Sequence, residues 1–171
     1  GEKTYYLAKE AAKNALRGEY EVLGEVKGAD LVGRRYRGPF DELPAAAGVE
    51  HRVIPWGDVG AEEGTGIVHI APGAGKEDFQ LSKVNDLAVI APIDEFGMYI
   101  DGFGDLSGQY VHEVAMPIAN NLKAKGLLYR GEQYKHRYPV CWRCNTDLVF
   151  RLVDEWFISM DPLREPMKDV T

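Results

Sequence analysis

GTGIVHIAPGAGKEDF, residues 64–79, changes character twice. Two glycines flank Thr65, a run containing β-branched residues follows, and Pro72, Gly73 and Gly75 then break it ahead of a charged Lys-Glu-Asp. That order predicts a strand over 67–71, a tight turn, and a helix that starts near Lys76. Outward from this block, LAVIAPID (87–94) reads as a second buried strand. EVAMPIANNLKAKG (113–126) reads as a helix with Pro117 in an early turn and Gly126 closing it. Toward the N-terminus, HRVIPW (51–56) is extended, because the residue before Pro55 is pushed out of helix. Residues 28–48, rich in Gly, Pro and Arg, are expected to be irregular, and EYEVLGEV (19–26) alternates like a half-buried strand. YYLAKEAAKNALR (5–17) predicts a helix with Leu7, Ala11 and Ala15 on one side and Gly18 as its stop. LLYRGEQYKHRYPV (127–140) and DLVFRLVDEWFI (147–158) supply the last extended segments. Strands outnumber helices without a regular strand–helix–strand rhythm. The expected fold class is α+β, with a barrel-like β core and flanking helices, rather than a doubly wound sheet.

The 171 residues are enough to bury a core, and 45% hydrophobic with 27% charged residues is the composition of a soluble globular protein. No apolar run is long enough to cross a bilayer, and GEKTYYLAKE lacks a secretory signal's basic and apolar regions. The expectation is a cytoplasmic protein with no membrane partner. A formal charge of -7 argues against a protein that coats nucleic acid. Arg34, Arg35 and Arg37 cluster, as do basic residues from Lys123 through Lys135, Arg137 and Arg143. A solvated face is the cheaper reading of each cluster, so any nucleic-acid contact should be local, such as to one end of a strand. The cysteines, Cys141 and Cys144, form one C-x-x-C, which is half of a four-ligand zinc site.

Nucleotide motifs fail on inspection. The phosphate-binding loop needs glycine five places before Gly75-Lys76 and a hydroxyl residue after, but Ile70 and Glu77 stand there. Gly64-Thr65-Gly66 is followed three places on by His69, which breaks the dinucleotide fingerprint. No serine or cysteine sits in a nucleophile elbow, so a hydrolase built on this chain would use water. By residue type alone, Asp78 is a helix-dipole partner and His69 a hydrogen-bonded core histidine.

Residues 64–79 nevertheless closely resemble the GTG-x-VH-x-AP-x-x-G-x-x-D block in the editing domain of isoleucyl-tRNA synthetases, with related blocks in the valyl and leucyl enzymes. API-DEFG (91–97), KAKGLLY (123–129), HRYPVCWRCNTDLVFR (136–151) and DEWFISMD (154–161) agree in the same order. The resemblance implies an editing domain over 1–153 and a segment over 154–171 that leads back to the synthetic domain. It implies hydrolysis of isoleucine tRNA mischarged with valine, the tRNA 3′ end and the rest of the synthetase being the partners. Asp78 would hold the α-ammonium of the aminoacyl group, and His69 would line the pocket and help exclude isoleucine. Gly64, Thr65, Gly66, Ile67 and Val68 would lie beside the terminal adenosine. Editing would need no cofactor, whereas ATP, magnesium and zinc would belong to the full-length synthetase.

Two features depart from that pattern. The family's threonine-rich strand, T-T-x-P-W-T, would precede this chain, and Pro55-Trp56-Gly57 is no substitute. A truncated or shortened site with reduced or no hydrolysis is therefore expected. The second cysteine pair of the family's zinc knuckle is also missing, and His136 is the one nearby addition to Cys141 and Cys144. A C-x-x-C without metal is the expectation. The alternatives are a non-catalytic module that holds a tRNA end or braces a synthetase, and a valyl-type editing domain with another substrate.

Overall fold

A computed structural model describes residues 3–133, 135 and 137–170. It is an α+β arrangement with short elements and long connections. Helix α1 is Ala12–Ala15, α2 is Lys76–Asn85, α3 is Ala115–Ala124 and α4 is Asp161–Asp169. Strands β1 (Arg35–Tyr36) and β2 (His51–Arg52) pair antiparallel, with Arg35 opposite Arg52 and Tyr36 opposite His51.

The block at 64–79 forms its helix where the sequence places it. Gly75 caps α2 in extended conformation, Glu77 and Asp78 occupy the first turn, and Lys83 occupies the last. That distribution of charge suits the helix dipole. Asp86 closes α2 in the left-handed region at φ 51°, and the amide of Leu87 donates to the carbonyl of Ser82. Helix α3 carries Pro117 in its first turn, where the missing N–H costs nothing. Gly126, at φ 68°, ends it, and the amide of Leu127 donates back to Leu122. This is a Schellman closure, and it needs the left-handed residue that glycine supplies.

Between the two helices, residues 93–111 fold back on themselves. Asp94 Oδ1 accepts the amides of Phe96 and Met98, each at 2.9 Å, in an Asx-type turn closed by Gly97 at φ 77°. Isolated bridges pair Ile93 with Tyr99 and Met98 with Tyr110. Ala11, Ile93 and Val114 are buried apolar side chains, and few others are buried among the described residues, so the core is small.

Several expected strands form no ladder among the described residues. Residues 67–71 and 87–92 have no strand partner among the described residues, and neither does 19–26. Among the described residues the segments 127–140 and 147–158 share one bridge, Val140 with Asp147. A closed barrel demands continuous pairing around its circumference, and the described ladder has two strands. The expected helix over 5–17 shrinks to Ala12–Ala15 because tertiary contacts claim its first half. The amide of Ala8 donates to the carbonyl of Thr65 at 2.7 Å, and Tyr5 packs edge-on to Tyr129 at 5.2 Å. Helix α4 has no counterpart among the expected elements, and it contains Pro162 and Pro166. Pro162 sits in its opening turn, a permitted place, and Asp161–Arg164 and Glu165–Lys168 pairs brace it.

The chain exposes 14340 Å². A compact protein of this mass exposes about 8400 Å². Large apolar side chains are among the exposed residues, with Trp156 fully and Phe157 and Ile158 largely exposed. No helix among the described residues is long and apolar enough to cross a membrane.

Candidate functional site

Asp78 occupies the third position of α2, and its side chain turns back out of the helix. Its Oδ2 accepts the amide of Ala71 at 2.9 Å, while the amides of Ala74 and Gly75 both donate to the carbonyl of Ala71. The carboxylate thus clips the 71–75 turn onto the helix it precedes. Pro72 and Gly73 are buried in this turn, and Gly73 lies against the backbone of Ile90 and Ala91. Gly75 leaves room for Asp78, whose Oδ2 stands 2.9 Å from where a β-carbon would be. One carboxylate oxygen is committed to this anchor, and Oδ1 makes no hydrogen bond among the described residues. A half-buried carboxylate with one satisfied and one open oxygen at a glycine-walled turn can accept a small cationic group.

His69 is exposed and makes no hydrogen bond, ion pair or ring contact among the described residues. The core histidine expected from residue type is thus not found. Its ring is not joined to Asp78, so the two do not form a dyad. Ile67 and Val68 are exposed as well.

Gly64 and Thr65 lie elsewhere. They line an open groove of about 430 Å³ against Asn14 and Ala15 of the α1 region and Leu128 and Arg130 beyond α3. Gly64 (φ 57°) and Gly66 (φ 69°) take left-handed conformations that let the loop close on Glu63 and meet Ala8. The residues named from sequence therefore divide between the α2 turn, holding Asp78, and this groove, holding Gly64, Thr65 and the neighbouring Gly66. Two partners escaped sequence reading: the Ala71 amide, a backbone group that leaves no mark in composition, and the 127–132 wall, which lies far away in the chain.

Cys141 and Cys144 occupy a tight turn. The amide of Cys141 donates to Thr146 at 2.8 Å, that of Asn145 donates to Cys141 at 2.8 Å, and Asn145 is left-handed at φ 59°. Thr146 lies 3.3 Å from Cys144 Sγ through its hydroxyl. Hydrogen bonds from the Thr146 side chain and backbone, then from Cys141, lower the Cys144 thiol to about 7. Alkylation of Cys144 should therefore rise through a midpoint near pH 7. Thr146→Val should move that midpoint upward, toward an ordinary thiol, as followed by mass spectrometry of the alkylated peptide. A midpoint unmoved by Thr146→Val would remove the Thr146 hydroxyl as the cause.

Zinc needs four ligands, and no group of three or more His, Cys, Asp or Glu side chains among the described residues is arranged to hold a metal. His136, the third ligand considered from sequence, lies outside the described residues. Two thiols alone do not fit a structural zinc site.

No family model matches the chain. Individual relatives do. The chain is 40% identical over 166 residues to the isoleucine–tRNA ligase of Methanothermobacter thermautotrophicus, covering 96% of the chain and 16% of that protein. It is 38% identical over 176 residues to the Pyrococcus horikoshii enzyme of the same name, with the same coverage. To that of Sulfolobus acidocaldarius it is 36% identical over 161 residues, covering 92% of the chain and 15% of the relative. The chain spans about a sixth of the length of the curated relatives it matches. Such identity along nearly the whole chain exceeds what one short motif could produce, and as a segment of that length the chain belongs to the isoleucyl-tRNA synthetase family.

Proposed function

We propose that this chain is the editing segment of an isoleucyl-tRNA synthetase, which hydrolyses isoleucine tRNA mischarged with valine. The observation that carries the proposal is Asp78, anchored through Oδ2 to the Ala71 amide with Oδ1 open. In this reading Oδ1 receives the α-ammonium of the aminoacyl group, and the ester lies over the 71–75 turn. Water attacks the ester carbonyl, the tRNA ribose oxygen leaves, and free valine and uncharged tRNA result. An aminoacyl ester is already activated, so positioning and backbone donors contribute more than a covalent nucleophile would.

The need for such a step is physical. One methylene is worth about 1–3 kcal/mol of discrimination, and isoleucine against valine is the established illustration of that limit, cured by a second hydrolytic sieve. His69, exposed beside the turn, is assigned to the wall that stops isoleucine. His69→Ala is expected to raise hydrolysis of correctly charged isoleucine tRNA by about tenfold or more, with valine hydrolysis less affected. Parallel deacylation assays on the two charged tRNAs measure this. An unchanged ratio would take His69 out of the sieve, and no hydrolysis of valylated tRNA by the unaltered protein would defeat the whole reading.

The finer architecture follows the same proposal. The barrel closes, and the site is completed, by the family's threonine-rich strand, which these 171 residues do not contain. The unpaired segments 67–71 and 87–92 are the edges to which such a strand would add. The rest of the synthetase covers the exposed Trp156, Phe157 and Ile158, and the working place is the cytoplasm. A second reading, a module that holds a tRNA end without chemistry, is favoured by one observation: Gly64 and Thr65 open into a groove that Asp78 does not line. ATP, magnesium and zinc belong in either case to the complete enzyme.

A further inference from the structure

The β1–β2 ribbon concentrates positive charge in a chain whose net charge is -7. Arg35 and Arg52 stand directly opposite one another across the ladder. Like charges in that position destabilise a sheet. One carboxylate, Glu50, serves both guanidinium groups, at 3.1 Å from Arg35 and 3.9 Å from Arg52. Arg34 and Arg37 flank them, exposed and with no ion pair or hydrogen bond from their side chains among the described residues. The other nearby carboxylate is already engaged: Asp41 accepts the amide of Gly38 at 2.9 Å and pairs with His51 at 2.8 Å. Of the four arginines, two share Glu50 and two have no carboxylate partner among the described residues.

An aromatic platform accompanies this charge. Tyr36 and His51 are cross-strand neighbours, stacked at 5.3 Å with 27° between their planes, and Tyr36 is half exposed. By the two-residue alternation of a strand, Arg34 lies on the same side as Tyr36. Arginines beside an exposed ring are the combination that takes a nucleic-acid strand, phosphates on guanidinium groups and a base on the π-face. The ribbon is also tied to the candidate site. Arg52 Nη2 donates to the carbonyl of Asn85, the last residue of α2, whose first turn carries Asp78. Seven residues of helix separate Asp78 from Asn85, about 10 Å along the axis.

We propose that the β1–β2 ribbon is a contact for the sugar-phosphate backbone of an RNA strand, with Arg34 and Arg37 on phosphates and the Tyr36–His51 stack beneath a base. The choice of RNA rests on the reading of this chain as part of a tRNA enzyme. Arg35 and Arg52, on the opposite face, add only to the positive charge of the ribbon, and the strand would arrive about 10 Å of helix from Asp78.

The test is equilibrium binding of uncharged isoleucine tRNA to the protein across a series of salt concentrations. Arg34→Ala with Arg37→Ala should raise Kd about tenfold near physiological salt. It should also flatten the plot of log affinity against log salt, by about 0.7–0.9 for each phosphate no longer neutralised. Tyr36→Ser should weaken binding severalfold with the slope unchanged, and Tyr36→Phe should restore it. Arg164→Ala, on α4, should change neither quantity. Should the double variant fail to fold, the single variants Arg34→Gln and Arg37→Gln are read in the same way. A folded variant with the wild-type Kd and slope overturns the proposal. So does a loss seen with an acidic peptide and not with tRNA. Binding of uncharged tRNA is independent of hydrolysis. An inactive protein whose tRNA affinity still depends on these arginines would refute the editing reading alone, whereas normal editing with arginine-independent binding would refute the ribbon alone.

Discussion

Replacing Asp78 with alanine is expected to lower kcat/KM for deacylation of valylated isoleucine tRNA by about two orders of magnitude. Two contributions disappear together. A hydrogen bond to a charged group is worth about 1.5–3 kcal/mol, and each 1.4 kcal/mol is a factor of ten, so the ammonium interaction alone accounts for roughly 10–150-fold. The second loss is the anchor: Ala71 would keep its amide with no side-chain acceptor, and the 71–75 turn would be free to move against α2. Asp78→Asn separates the two, because the amide oxygen can still accept from Ala71 while the charge is gone. Asn should therefore recover the stability lost by the alanine variant without recovering its activity. Deacylation kinetics and urea unfolding on both variants distinguish these effects. Full activity in Asp78→Asn would leave Asp78 a purely structural clip and remove it from substrate binding.

The anchor at Asp78 shows why the sequence disclosed part of the candidate site and concealed the rest. Residue type alone made Asp78 a first-turn acid, and it is one; its reach to Ala71 depends on the tight turn that Pro72, Gly73 and Gly75 create. The start of α2 and both ends of α3 were legible to within two residues because their signals are local: Gly75 and Gly126 at their limits, Pro117 in a first turn. Strands carry no such local guarantee. Residues 67–71 and 87–94 have the β-branched pattern of buried strands, yet a ladder exists only where a second backbone stands beside it, and pattern cannot name the neighbour. The same limit hid the groove at Gly64 and Thr65, whose far wall comes from 127–132. Arg34, Arg35 and Arg37 are exposed, as a solvated run would be, and only their partners were hidden. Pairing sets Arg52 opposite Arg35 and His51 against Tyr36.

Gly73→Ala is expected to be the most damaging single-methyl change in the 64–79 block. A β-carbon on Gly73 would overlap the carbonyl oxygen of Ile90 and stand 2.6 Å from its carbonyl carbon and 3.2 Å from the amide nitrogen of Ala91. All of these are backbone atoms, so no side chain can rotate away. Relief requires the 71–75 turn to withdraw from the 90–91 segment, and withdrawal carries Ala71 away from Asp78 Oδ2. Overpacking of this kind costs about 1–3 kcal/mol, and the clash with backbone favours the upper end. The loss should appear as a lower urea midpoint together with a fall in deacylation, because the clip that holds Asp78 is strained by the same displacement. Gly57→Ala is the matched control: no atom lies within 4 Å of its added β-carbon, and both quantities should stay near wild type. Were Gly73→Ala to fold and edit like Gly57→Ala, the turn would not rest on the 90–91 backbone in the working protein. If instead stability fell while the activity of the folded fraction held, the turn would support the fold without positioning Asp78. The joint loss is what this geometry requires, because a single glycine lets one turn lie against a neighbouring segment and hold the carboxylate in place.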